Sequence, residues 1–176
     1  MSTRSRKTLI LGLVCLLPTL ASAAPILPGL WEVSTDKMEV DGKAMPGMEE
    51  MFKKVKQMPD EQRKVMEDMM KRQGIRLGEK GIQVCMSEEQ VNANHLPLLD
   101  TNSGCSQNIT ERTDKVWKFE YLCPNTRGEG ETHFASKKAF TTKVKTHFQT
   151  ENGEKDGSIE SSARWVGADC DTLAPR

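Results

Sequence analysis

The sequence predicts a mainly β fold: a β-rich α+β domain on a single antiparallel sheet or partly closed barrel of six or seven strands. Three observations lead there. Trp117, Phe119, Tyr121 and Cys123 alternate with Lys118, Glu120 and Leu122, the period-two pattern of a strand with one buried face. Turn signals at Asp41-Gly42, Asn152-Gly153 and Asp156-Gly157 separate further extended runs. Four cysteines, Cys85, Cys105, Cys123 and Cys170, follow a leader-like N-terminus, the pattern of an exported domain stapled by two disulfides.

Residues 1–23 read as a secretory signal peptide. A basic start (Arg4, Arg6, Lys7) precedes an apolar stretch from Leu9 to Leu17, the breaker Pro18, and Ala21-Ser22-Ala23 ahead of Ala24. The apolar run from Thr8 to Leu20 has 13 residues, short of the roughly 20 that a spanning helix needs, so no stable membrane anchor is expected after cleavage. Cys15 leaves with the leader. What remains, residues 24–176, is one β-rich domain expected in the periplasm or beyond it.

Pro28-Gly29 opens an N-terminal strand that runs from Leu30 to Val40 and stops at Asp41-Gly42. A methionine-rich helical hairpin is then inserted over about 47–74. In its first helix Met48, Met51, Phe52, Val55 and Met58 share one face, with Glu49 and Glu50 at the start and Lys53, Lys54 and Lys56 at the end, as the helix dipole prefers. Pro59 starts the second, with Asp60 and Glu61 in its first turn, Val65, Met66, Met69 and Met70 on one face, and Gly74 as the stop. Gly81 to Met86 returns to extended chain. Ser87-Glu88-Glu89-Gln90 is a capping box for a short helix ended by Pro97. Strands follow: a hairpin turning at Thr113-Asp114-Lys115, a pair over Gly130 to Ser136 and Ala139 to Thr150, and a last strand from Ser158 to Val166.

The first of these hairpins fixes the cysteine pairing. With the turn at Thr113-Asp114-Lys115, Cys105 faces Cys123 from the same side, leaving Cys85 to Cys170. The second bridge closes a loop of more than 80 residues, for which the chain-entropy model predicts about 4 kcal/mol. Such help is needed, because Leu, Ile, Val and Phe supply only 27 of the 153 residues after the leader. No C-x-x-C knuckle is present for zinc.

Several spaced motifs resemble one family. Pro28-Gly29-Leu30-Trp31-Glu32, Met58-Pro59 with Gln62, Val84-Cys85-Met86-Ser87-Glu88-Glu89-Gln90, Gly104-Cys105, Cys123-Pro124, Gly128-Glu129-Gly130 and Arg164-Trp165-Val166-Gly167-Ala168-Asp169-Cys170 are similar to a family of small exported Gram-negative bacterial proteins known only as a domain of unknown function. Met86 stands where Leu is more usual. The resemblance implies a periplasmic protein and brings no catalytic residues or cofactor with it. Gly29-Leu30-Trp31 is also similar to the G-x-W of lipocalin-type barrels, in which a Trp on the first strand closes the barrel floor and an Arg from the last strand covers it. Trp31 and Arg164 would be that pair, and an apolar ligand cavity would follow.

Composition excludes several function classes. Without the three leader cations, 22 basic residues face 25 acidic ones, which leaves no basic footprint for nucleic acid. Nucleotide-binding loops and hydrolase or zinc-protease motifs are missing, and of the three histidines, His95, His133 and His147, the last two fall several residues apart along paired strands and make no metal pair. The expectation is a non-enzyme without a cofactor. Six of the nine methionines after the leader lie in the helical hairpin, where Met51, Met58, Met66, Met69 and Met70 are the candidate ligand or partner surface. Plain packing of the hairpin on the sheet is the competing reading, and a thioether site for Cu(I) is a third. The function expected is a binding or interaction module for an unknown protein or an apolar small molecule; the alternative is a structural or envelope-maintenance protein without a small ligand.

Overall fold

The structure, a computed structural model, describes residues 25–93 and 104–173. The leader, its cleavage point, Cys15, His95 and Pro97 lie outside the described residues. Nine strands and three helices follow in the order β1 (Gly29–Val40), β2 (Lys43–Ala44), α1 (Met48–Lys56), α2 (Asp60–Arg72), β3 (Ile75–Leu77), β4 (Ile82–Met86), α3 (Glu88–Asn92), β5 (Ser106–Arg112), β6 (Val116–Cys123), β7 (Thr126–Ser136), β8 (Ala139–Thr150) and β9 (Gly153–Gly167). All strands join one antiparallel sheet in the order β3-β4-β1-β9-β8-β7-β6-β5, with β2 paired to β1. The sheet is open: among the described residues its end strands β3 and β5 do not pair, so no barrel closes.

The fold class agrees with the sequence reading, whereas the strand number is nine rather than six or seven. The two additions are short. β2 has two residues and β3 three, too few to show alternation, and each exists because a turn folds the chain back beside a longer strand. The Asp41-Gly42 turn has positive φ at both positions (50° and 72°), the twist that tight hairpins require.

Two boundaries also moved. β7 begins at Thr126 rather than Gly130, and β9 at Gly153 rather than Ser158. Gly128 and Gly130 sit inside β7, where rings and backbone occupy the space a side chain would need. A Cβ on Gly130 would lie 2.4 Å from Cζ of Phe119, and one on Gly128 would lie 2.2 Å from the Lys145 carbonyl. Asp156-Gly157 is likewise mid-strand, opposite His147 and Thr146, and the true turn is at Glu151-Asn152.

Register follows the expected hairpins. Ser106 faces Leu122 and Ile109 faces Phe119, which sets Cys105 against Cys123, and a bulge between Ile109 and Glu111 absorbs the odd residue before the turn. His133 faces Thr141 across β7 and β8. α3 carries the full capping box: Ser87 Oγ accepts from Gln90 N–H at 3.1 Å and Gln90 Oε1 accepts from Ser87 N–H at 2.8 Å.

The core lies on one face at the β4-β1-β9-β8 centre, where Trp31, Val84, Met86, Phe140 and Ala163 pack with Ile26 and with Val91 of α3. Trp31 is fully buried, its ring centroid 5.2 Å from that of Phe140, and Phe134 and Trp117 extend the aromatic line. On the opposite face Leu30, Cys85 and Leu173 form a smaller cluster with Cys170.

On the face of the smaller cluster, two residues along β1 from Leu30, sits a buried acidic side chain. Glu32 is 3 % exposed; one of its carboxylate oxygens accepts from Lys80 N–H at 2.6 Å and the other from Nη2 of Arg164 at 2.8 Å. The β3–β4 loop closes over it so tightly that a Cβ on Gly81 would lie 2.0 Å from the Val33 carbonyl. Arg164→Ala would leave the buried carboxylate with the backbone donor alone. It should lower stability by about 2 kcal/mol, below the usual cost of breaking a buried pair because Arg164 is itself half-exposed. Glu32→Gln keeps an acceptor for Lys80 and should cost about half as much. Urea midpoints of the two variants check the order.

At the far end of β1 the side chain of Asp41 accepts from Lys155 and, at 3.1 Å, from Asp156 N–H. The Lys155 hydrogen bond, with the Asp156 N–H second, holds the Asp41 carboxyl below its usual range. A carboxyl depressed in the folded state contributes stability above its unfolded pKa and loses it as pH falls through the folded one. Carboxyl-carbon NMR titration should therefore show Asp41 protonating at more acid pH than an ordinary Asp. Lys155→Ala should move it back upward.

Candidate functional site

α1 and α2 both form where the sequence places them, but their apolar faces meet different fates. α1 buries Phe52 and Val55, each 8 % exposed, and rests on β1. Met48 and Met58 are half-buried, whereas Met51 is 58 % exposed. α2 buries nothing and touches the sheet chiefly at β3. Met66 and Met70 are half-buried on that helix, and Val65 and Met69 are 60 % and 55 % exposed. The contrast with Met86, at 2 %, separates a methionine that fills the core from those that do not.

Helical geometry explains the pattern. At 100° per residue Val65, Met69, Met66 and Met70 span one broad stripe, and three-residue β3 is too narrow to cover it. Arg63 is occupied elsewhere, 2.5 Å from Asp60 and 3.8 Å from Glu67. Met45, 44 % exposed in the β2 to α1 connection, adds to the uncovered apolar surface of this segment.

The other sequence candidates are placed as follows. Cys85 pairs with Cys170 and Cys105 with Cys123, with Cα separations of 5.5 and 4.2 Å. Trp31 and Arg164 lie on the neighbouring strands β1 and β9 but face opposite sides of an open sheet, so they form no barrel-floor pair. Arg164 is in register with Glu32, one residue on from Trp31 and so on the opposite face, and Trp165 is the residue opposite Trp31. Trp31 is held instead by its indole N–H donating to the Leu27 carbonyl at 2.9 Å.

His147 Nδ1 lies 2.6 Å from Asp156 Oδ1 and His133 Nε2 lies 3.1 Å from Glu131, both on the exposed face. Among the described residues no three His, Cys, Asp or Glu side chains gather as a metal site. A shallow groove of about 350 Å³ runs over that face of β6 to β8, lined by Lys118, Glu120, Glu129, Glu131, Lys143 and Lys145. Its mixed charges do not suit an apolar ligand. The buried Glu32 was missed by sequence reasoning. Its signal was an acid in the apolar run Leu30 to Val33 with an Arg at the matching point of the last strand, and only the register makes that match visible.

Among the described residues no helix is long and apolar enough to cross a membrane, and the two disulfides indicate an oxidising, non-cytoplasmic location. No solved structure matches the chain. It is 44 % identical over 122 residues to an uncharacterised protein in the lpd-3 5′ region of Pseudomonas putida, a match covering 69 % of this chain and 86 % of that relative. The model of a protein family of unknown function, DUF3617, matches residues 26–170, and the chain belongs to that family.

Proposed function

We propose that the protein is a non-enzymatic binding or interaction module of the periplasm, with the sheet as rigid scaffold and the helical hairpin as contact surface. The observation that carries this reading is an amphipathic α2 with no buried residue, whose Val65 and Met69 stand in solvent, as does Met51 on α1. Methionine is flexible and polarizable, so such a surface adapts to varied apolar shapes. The partner class is an apolar small molecule or an apolar stretch of polypeptide. The hairpin attaches chiefly through α1 on β1 and α2 on β3 and holds neither disulfide, which leaves it room to adjust while the bridges hold the sheet.

Val65→Gln with Met69→Gln tests the reading. Both side chains are more than half exposed, so the pair should change stability by less than about 1 kcal/mol. Binding of the apolar dye 1-N-phenylnaphthylamine and of a reduced, unfolded client polypeptide should fall together. Unchanged binding, or none in the wild type, would leave the structural, envelope-maintenance role in its place.

Export rests on the leader read in the sequence, since Ala21-Ser22-Ala23 followed by Ala24 suits signal peptidase. Intact-mass analysis of the protein from a periplasmic extract should give a chain beginning at Ala24, without Cys15 and with both disulfides formed. A retained Met1 would overturn periplasmic processing.

A further inference from the structure

We propose that Met66, Met69 and Met70, on one turn of α2, form a thioether site for the soft monovalent cation Cu(I). The three stand at i, i+3 and i+4, so Met66 neighbours both others, with Cβ atoms about 5–6 Å apart. Three rotatable bonds let each sulfur swing toward a common point above the helix. Their environment suits an ion site. Met69 is 55 % exposed and gives access from solvent, while Met66 and Met70 are half-buried and shield the inner side.

Chemistry selects the ion. All four cysteines among the described residues are in disulfides, which leaves the thioethers as the soft donors available. Soft sulfur ligands prefer Cu(I) over hard cations such as Mg²⁺ or Ca²⁺. Thioethers also carry no proton to lose, so the site would not compete with protons at mildly acid pH, unlike one built from thiols or imidazoles.

The site shares Met69 with the contact surface proposed above but does not depend on that reading, and leucine separates the two. Replacing Met66, Met69 and Met70 together with Leu keeps apolar area and helix propensity and removes every sulfur. Anaerobic Cu(I) titration in competition with bicinchoninate should give one ion per wild-type chain. Affinity should fall roughly tenfold or more in the triple Leu variant, and Met45→Leu with Met51→Leu should stay within about twofold of wild type. Dye and client binding should survive in the triple Leu variant, so a loss of copper alone identifies sulfur coordination and a loss of dye alone speaks only to the contact surface. A second measurement needs no mutation: Ag(I), a redox-inert stand-in, should shift the methyl NMR signals of Met66, Met69 and Met70 and spare that of Met86. Wild-type affinity in the triple Leu variant, no competition by the wild type, or methyl shifts outside this trio would overturn the proposal.

Discussion

Pairing of the first strand with the last is the constraint on which the rest of the molecule depends. β1 runs antiparallel to β9 from Leu30 opposite Gly167 to Val40 opposite Gly157, and its other edge receives β4. β2, β4 and α1 attach directly to that strand and β3 and α2 attach through β4, whereas β5 to β9 form a meander of neighbours. The corner where the two parts join is closely fitted. Gly29, at φ 126°, brings its backbone so near β9 that a Cβ would lie 2.3 Å from the Gly167 carbonyl. The Trp165 indole donates to the Pro28 carbonyl at 3.0 Å, and the Cys85–Cys170 bridge closes the same corner.

That corner shows why the two most distinctive stretches of the chain belong together. Pro28-Gly29-Leu30-Trp31-Glu32 and Arg164-Trp165-Val166-Gly167-Ala168-Asp169-Cys170 are two sides of one joint. Each residue type has a task there: glycine for close approach, tryptophan for bulk with a tethered N–H, glutamate and arginine for the buried pair, cysteine for the covalent tie. The contacts are non-local, since the partners lie more than 120 residues apart. Loop-closure entropy opposes such pairing until the meander has formed, and the long-range disulfide offsets part of that cost once oxidation has occurred.

The distribution of burial carries the functional argument. A chain with few large aliphatic residues concentrates them around Trp31 and spends its remaining apolar side chains unevenly. Methionine serves as core at Met86 and as exposed surface along α2, so residue type alone does not say which role it plays. The hairpin holds no disulfide, and its main contacts are α1 with β1 and α2 with β3. The outer face of β6 to β8, by contrast, carries Glu129 and Glu131 of β7 between Lys118 of β6 and Lys143 and Lys145 of β8.

The sequence by itself determined the fold class, both helices of the insertion, the capped α3 and the pairing of Cys105 with Cys123, because each depends on local periodicity, capping chemistry or a single hairpin register. It also marked the long strands, whose alternation is strong. It did not show β2 and β3, which are too short to carry a period, nor the continuation of β7 and β9 through their glycines, since the rings that fill those spaces come from other strands. Only the tertiary structure decided that the sheet stays open, that Arg164 reaches Glu32 instead of covering Trp31, and that α2 leaves Val65 and Met69 in solvent. Those outcomes turn on which strands become neighbours and how wide a strand lies beneath a helix, and amphipathic spacing reports only that a face is apolar, not what covers it.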